Sequence, residues 1–219
     1  ALVAEGAHVA LLSRDAVKLQ AVADELNAMG PGKAVIAPAD LSDHDGLLKA
    51  VDVAEDKLGG PIQILLNNTG GPPPSGVQGL DPKLWRDQFE AMVLSVFRLT
   101  DRVMPGMRSM GWGRVINVAS VTVLEPIATL GVSNTLRAAI TTWAKTLAGE
   151  VAMNGVTVNT MLPGRIDTPR IERLDLVDVV DAGGNDDDGN LRPRAYLAND
   201  VDAVHIGQPK VQKHDVGQG

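Results

Sequence analysis

Cysteine is absent from the sequence, aromatic residues make up only 3% of it, and hydrophobic runs are short. The lack of cysteine excludes disulfide scaffolds, thiolate zinc sites and cysteine nucleophiles. It also fits a reducing compartment, so we expect a cytoplasmic protein. No run approaches the roughly 18 apolar residues that a membrane-spanning helix needs, and the first residues lack the basic region of a secretory signal. We therefore expect no membrane partner.

Positive charge is also in short supply, because 20 Lys and Arg face 27 Asp and Glu for a net charge of −7. Nucleic acid is not an expected partner, since binding a phosphate backbone requires a basic surface. The 4 histidines show no ligand spacing, so the sequence predicts no metal site. No Gly-x-Ser-x-Gly elbow surrounds a candidate serine, which disfavours a hydrolase.

Short β-branched runs alternate with longer helical patterns through the first 170 residues or so. Strands are predicted at 8–12, 34–37, 62–66, 114–118 and 156–162. Helices are predicted at 15–29, 42–58, 81–110 and 133–153. Ser42 is the expected cap of the second helix, and the third helix is expected to break near Trp85 and at Pro105. Near-continuous apolar strands joined by helices are typical of a parallel sheet covered on both faces. The sequence therefore predicts an α/β fold.

The pattern stops near residue 175, and residues 183–190 read Gly-Gly-Asn-Asp-Asp-Asp-Gly-Asn. We expect an α/β domain over 1–172 and an irregular tail, poorly packed or disordered, over 173–219. Trimming the chain after Arg173 should then barely change its melting temperature.

Ligands of parallel sheets bind beyond the carboxyl ends of the strands. The segments that follow the predicted strands are therefore the candidate site: Arg14, Asp40, residues 67–71, Ser120 and residues 163–168.

The segment at 64–70, Ile-Leu-Leu-Asn-Asn-Thr-Gly, resembles the Asn-Asn-Ala-Gly motif of the short-chain dehydrogenases/reductases. Further matches follow the family's order and spacing: His-Val-Ala-Leu-Leu-Ser-Arg at 8–14, Ala-Asp-Leu at 39–41, Gly-Arg-Val-Ile-Asn-Val-Ala-Ser at 113–120, and Pro-Gly-Arg-Ile-Asp-Thr at 163–168. The resemblance covers about residues 1–172 and looks most like the 3-oxoacyl-carrier-protein-reductase-like branch. It implies a Rossmann-type doubly wound sheet, a pyridine nucleotide cofactor, a small carbonyl or alcohol substrate and a homo-dimer or tetramer.

Arg14 and Asp40, which follow the first two strands, are candidates for contact with the adenosine part of the nucleotide. By the resemblance, Arg14 meets the adenosine ribose, where a guanidinium suits the 2′-phosphate of NADP. The neighbouring Asp15 would favour NAD instead, and the alternative for Arg14 is a solvated residue in a strand-to-helix loop. Asp40 either accepts a hydrogen bond from the adenine amino group or caps the next helix together with Ser42.

The resemblance implies further cofactor contacts from Leu41, Asn67, Thr69, Gly70 and Arg137, and on the nicotinamide side from Pro163, Gly164, Ile166 and Thr168. Glycine lets a nucleotide approach the backbone closely. Asn67 could otherwise be a strand-end asparagine that satisfies loop backbone, and Pro-Gly alone is simply a turn.

The family's first strand and its glycine-rich pyrophosphate loop have no counterpart in the sequence. We expect an N-terminally truncated chain, a gap in the sheet between the strands at 8–12 and 62–66, and poor dinucleotide affinity.

The family's catalytic Asn, Ser, Tyr and Lys fall in register on Met92, Ser120, Ser133 and Arg137. The sole tyrosine, Tyr196, has Asp200 in place of the lysine four residues later. Losing a positioned general acid costs about 10²–10⁴ in rate. Ser120 and Ser133 could still hydrogen-bond a substrate oxygen, and Arg137 could stabilise negative charge.

Alternatives remain for each of these residues. Ser120 could be a structural strand-end serine, Ser133 a helix N-cap and Arg137 a solvated arginine. The sequence thus leaves two functions open. The first is a slow reductase that hands hydride between NADP, or NAD, and a small carbonyl or alcohol, with water as the proton source. The second is a catalytically impaired homologue that binds nucleotide or pairs with a sister subunit.

Overall fold

The computed structural model describes residues 1–164 and the strand at 204–208. The strands are β1 (His8–Leu12), β2 (Ala34–Ile36), β3 (Ile64–Asn67), β4 (Gly113–Val118), β5 (Val156–Met161) and β6 (Val204–Gln208). The α-helices are α1 (Ala16–Asn27), α2 (His44–Leu58), α3 (Pro82–Phe89), α4 (Ser95–Met110) and α5 (Gly131–Val151). A π-helical turn (Glu90–Leu94) joins α3 to α4, and 3-10 turns follow β4 (Val121–Val123) and α5 (Ala152–Asn154).

The six strands form one sheet in the order β2-β1-β6-β3-β4-β5. β1 pairs with β2, and β4 with both β3 and β5, all in parallel. The predicted Rossmann-type α/β fold is confirmed. The first five strands also lie within two residues of their predicted positions, because short apolar runs between helices mark buried strands well.

β6 occupies the position between β1 and β3, where a gap was expected. It runs antiparallel to both neighbours, and Ile206 is paired with Ala10 on one side and Leu65 on the other. The prediction of a gap is therefore wrong, and the expectation of an irregular tail missed this strand. The rest of 173–219 lies outside the described residues.

Aspartates cap the first three helices, and neither of the two predicted serines is an N-cap. The side chains of Asp15, Asp43 and Asp81 each accept hydrogen bonds from backbone amides in the first turn of α1, α2 and α3. Ser42 thus does not cap α2. Likewise Ser133 lies inside α5, whose N-cap position is Leu130.

The main hydrophobic core lies between the sheet and the helices α2, α4 and α5, where fully buried residues such as Leu65, Leu99 and Val115 pack together. A smaller cluster joins α1 to β1 and β2. None of the described helices is long and apolar enough to cross a membrane.

Candidate functional site

A cavity of about 750 Å³ opens at the carboxyl ends of β1 and β2. It brings together residues that are far apart in the chain, among them Arg14 and Lys18, Asp40 and Leu41, Gly70, and Met92. Four of these six were expected to contact a nucleotide. Parallel strands end at one edge of the sheet, and this is where the fold collects their following loops.

Asp15 is committed to the start of α1. Its Oδ1 accepts hydrogen bonds from the amides of Val17 at 3.1 Å and Lys18 at 3.0 Å, and Lys18 Nζ lies 3.7 Å from its Oδ2. These contacts, with the Lys18 amide foremost, hold the pKa of Asp15 below its ordinary value. The exposed Arg14 side chain and the Lys18 ammonium are therefore the two cations along this wall of the cavity.

Asp40 fixes the loop between β2 and α2. Its Oδ1 accepts hydrogen bonds from Ser42 Oγ at 2.6 Å and from the Ser42 amide at 2.9 Å. The Ser42 hydroxyl is the main reason that the pKa of Asp40 is lowered, and the charge of Arg14 adds to it. Asp40 does not cap α2, so that alternative is wrong. Both bonds end on Oδ1, and Oδ2 takes neither.

Asn67, the last residue of β3, joins three elements of the fold. Its side chain is 1% exposed, and its Nδ2 donates to Asn117 Oδ1 of β4 at 2.9 Å and to Thr100 Oγ1 of α4 at 3.4 Å. Within the described part of the chain, Asn67 Oδ1, Thr69 Oγ1 and Asn117 Nδ2 are buried without a hydrogen-bond partner. Such atoms cost about 1–3 kcal/mol each, so this strand end favours a polar group that pairs with them.

Ser120 ends β4 in extended conformation, with φ −164° and ψ 151°, and begins the 3-10 turn. Its Oγ accepts hydrogen bonds from the Thr122 amide at 3.2 Å and from Thr122 Oγ1 at 3.0 Å. The carbonyl oxygen of Pro163 accepts from the Val121 amide at 3.1 Å. The end of β5 therefore lies beside the Ser120 turn, as expected for two residues of one site.

Arg137 links α5 to the strand ends. It donates from Nε to Ser133 Oγ at 3.3 Å, from Nη1 to the carbonyl oxygens of Val118 at 3.0 Å and Ala119 at 3.2 Å, and from Nη2 to that of Gly70 at 3.4 Å. Ser133 is only 6% exposed. The alternatives of an N-cap serine and a solvated arginine are therefore wrong, and Ser133, Arg137 and Gly70 do come together.

Met92 lies in the π-helical turn, is 2% exposed and lines the same cavity. The expected helix breaks near Trp85 and at Pro105 are absent, since α3, the π turn and α4 are contiguous and Pro105 lies inside α4. π turns inside helices occur often at functional sites. Neither glycine nor proline marks this one, which is why the sequence did not reveal it.

Some expected site residues fall beyond the described part, and some site residues were missed. Ile166, Thr168 and Tyr196 lie outside the described residues. Sequence reasoning passed over Lys18, one helical turn after Asp15, and Thr122, two residues after Ser120. A signal was available for both residues. Asp15 and Ser120 are residue types whose side chains accept hydrogen bonds from backbone amides two or three positions later, which are those of Lys18 and Thr122.

A family model described as short chain dehydrogenase matches residues 1–176. The chain is similar to the 3-oxoacyl-[acyl-carrier-protein] reductase FabG of Vibrio cholerae, with 36% identity over 132 residues that cover 59% of this chain and 52% of that protein. It spans between 52% and 60% of the length of several such curated relatives.

Two solved structures share the fold. L-Sorbose reductase from Gluconobacter frateurii, complexed with NADPH and L-sorbose, matches with a TM-score of 0.75 and 28% identity over 85% of this chain and 68% of that one. The 3-ketoacyl-(acyl-carrier-protein) reductase from Brucella melitensis, complexed with NADH, matches with a TM-score of 0.66 and 26% identity over 72% of this chain and 65% of that one.

Proposed function

The chain belongs to the short-chain dehydrogenase family, on its 3-oxoacyl-carrier-protein-reductase-like branch, and we propose that it is an oxidoreductase that binds a nicotinamide dinucleotide. The observation that carries this proposal is the cavity that gathers Arg14, Asp40, Leu41 and Gly70 at the carboxyl ends of β1, β2 and β3. When bound, such a cofactor supplies hydride chemistry between its ring and a substrate carbon.

We propose that the cavity holds the adenosine half of the cofactor and that NADP is preferred over NAD. Asp15 is the residue that would favour NAD. Its carboxylate accepts hydrogen bonds from two backbone amides of α1 and forms an ion pair with Lys18. Arg14 and Lys18 both line the cavity, and two cations suit a 2′-phosphate through charge-assisted hydrogen bonds. A ribose hydroxyl has no charge to offer them.

We place the substrate carbonyl or alcohol at Ser120, beside Pro163 and Gly164. Ser120 binds and orients the substrate oxygen. The Arg137 guanidinium contributes positive charge at the carbonyl oxygens of Val118 and Ala119, the two residues before Ser120. We assign to Arg137 part of the electrostatic role of the family's lysine. With Ser133 at the tyrosine position, we infer that water supplies the proton and that turnover is slow.

A second candidate function is a nucleotide-binding or subunit-pairing homologue without turnover. The buried Ser133 and Met92 at two positions of the catalytic tetrad favour it. The donors of Arg137 that contact carbonyl oxygens also leave it less able to bind a ribose than a lysine ammonium would be.

We further propose a homo-dimer or tetramer, in which α4 and α5 pair between subunits as the family resemblance implies. Phe97 of α4 stacks on Trp143 of α5, with ring centroids 4.4 Å apart, which gives these two helices a rigid shared face. The cytoplasm is our proposed location, on the cysteine-free composition alone.

Calorimetric titration with NADPH and NADH, up to millimolar concentrations, tests the cofactor proposal. We expect binding of NADPH that weakens in Arg14→Ala and persists in Arg108→Ala, an exposed arginine at the far end of α4. NADPH oxidation with a short 3-oxoacyl thioester then separates the two functions. Turnover that disappears in Ser120→Ala supports the oxidoreductase, whereas binding without turnover supports the second candidate. Binding of neither nucleotide would refute both.

A further inference from the structure

Ser120 is held by one neighbouring side chain. The Thr122 amide and the Thr122 hydroxyl both reach Ser120 Oγ, at 3.2 Å and 3.0 Å. A serine hydroxyl has two acceptor positions and one proton to donate. If Thr122 fills both acceptor positions, the Ser120 proton is all that the side chain has left to offer.

The direction of the hydroxyl pair follows from burial. In one arrangement Thr122 Oγ1–H donates to Ser120, and the unused proton belongs to the half-buried Ser120. In the other, Ser120 donates to Thr122, and the unused proton belongs to Thr122, which is only 5% exposed. An unpaired buried donor is costly, on the order of 1–3 kcal/mol. The first arrangement is therefore the stable one.

The backbone around the pair is fixed on three sides. The Ala119 amide donates to the carbonyl of Met161 at 2.9 Å, the Val121 amide to that of Pro163 at 3.1 Å, and Arg137 donates to the carbonyls of Val118 and Ala119. These bonds fix the backbone on which Ser120 and Thr122 stand, so only a rotation about χ1 can take either hydroxyl out of the pair.

We propose that Thr122 is a positioning residue, which saturates Ser120 Oγ as an acceptor so that Ser120 presents its proton to the oxygen of the substrate. This inference rests on the proposed function, since the substrate is the carbonyl compound proposed above. It explains how a site that lacks the tyrosine still directs a hydrogen bond at a carbonyl oxygen. The bond orients and polarises the carbonyl, and no proton is transferred by Thr122.

Thr122→Val removes the hydroxyl and keeps both the side-chain shape and the amide, whereas Thr122→Ser keeps the hydroxyl. Thr135→Val is the matched control, because the Thr135 hydroxyl donates to the Gly131 carbonyl within α5. We expect kcat to fall about 3- to 10-fold in Thr122→Val, the range that one hydrogen bond is worth, with the Kd for NADPH unchanged. Thr122→Ser and Thr135→Val should retain the wild-type kcat.

Infrared spectra give a readout that does not depend on turnover. With a ¹³C-labelled acetoacetyl thioester and NADP⁺, the bound carbonyl stretch should lie lower in the wild type and in Thr122→Ser than in Thr122→Val and Ser120→Ala. Equal frequencies and equal kcat in the wild type and Thr122→Val would overturn the proposal.

Neutron diffraction from deuterium-exchanged crystals of the wild-type chain tests the hydroxyl pair directly. The Thr122 deuteron should lie between the two oxygens, and a Ser120 deuteron found there instead would refute the inference. If the wild type binds neither nucleotide nor thioester, the proposed function fails, while the neutron map still decides the arrangement of the pair.

Discussion

The strand β6 leads to a prediction about stability. The prediction is opposite to the expectation that trimming the chain after Arg173 barely changes its melting temperature. Ile206→Pro changes a residue whose backbone is paired on both sides, with Ala10 of β1 and Leu65 of β3. Proline has no amide hydrogen, and it is not accommodated in the interior of a sheet. The substitution should therefore disturb the strand that, among those the structure describes, joins β2-β1 to β3-β4-β5.

The magnitude follows from the lost backbone pairing. One ladder hydrogen bond contributes about 0.5–1.5 kcal/mol, and the carbonyl left unpaired costs about 1–3 kcal/mol. A loss of about 2–4 kcal/mol in the free energy of unfolding is expected. For a chain of this size each kcal/mol lowers Tm by roughly 2–4 °C, so Tm should fall by roughly 5–15 °C.

Thermal melts followed by circular dichroism measure this effect, with Val211→Pro, beyond the end of β6, as the matched control. The chain that ends at Arg173 should melt lower still, because all five residue pairs with β1 and three with β3 are removed. Hydrogen exchange at Ala10 and Leu65 should speed up in both altered chains. If Ile206→Pro and the shortened chain both melt with the wild type, β6 contributes nothing to the sheet and the reasoning is refuted.

Three more predictions concern the site. Arg14→Ala should raise the Kd for NADPH about 10- to 100-fold, the value of one charge-assisted hydrogen bond, and change that for NADH little, as calorimetry will show. The lowered pKa of Asp40 means that its contribution to stability is present above the unfolded value near pH 3.9 and is lost as pH falls through its folded pKa. In Asp40→Asn, Tm should therefore fall less steeply than in the wild type as the pH is lowered below 4. The same dependence of Tm on pH in both proteins would contradict this. Arg137→Lys should destabilise the fold by about 1–3 kcal/mol, since one ammonium cannot reach the carbonyls of Gly70, Val118 and Ala119 together. Denaturant unfolding curves that coincide for the variant and the wild type would show that these three hydrogen bonds do not stabilise the fold.

Particular residues show where sequence reasoning succeeded. The segments at 8–14 and 39–41 placed Arg14, Asp40 and Leu41 after two strands, and the cavity contains all three. Local signals were weaker for caps, since Ser42 and Ser133 were the expected caps, whereas Asp43 caps α2 and the N-cap position of α5 is Leu130. Cap residues compete within a few positions, and the geometry of the chain entering the helix chooses between them.

The sequence by itself determined the α/β alternation, the edge of the sheet at which the cavity lies, and the departure from the tetrad at Met92, Ser133 and Arg137. These properties depend on neighbours in the chain, through hydrophobic period and motif spacing. Tertiary structure alone decided that β6 lies between β1 and β3, and that Arg137 joins α5 to the ends of β3 and β4. Each of these depends on hydrogen bonds whose partners the fold, rather than local periodicity, brings into place, and a five-residue strand with few apolar residues acquires its order from the two strands beside it.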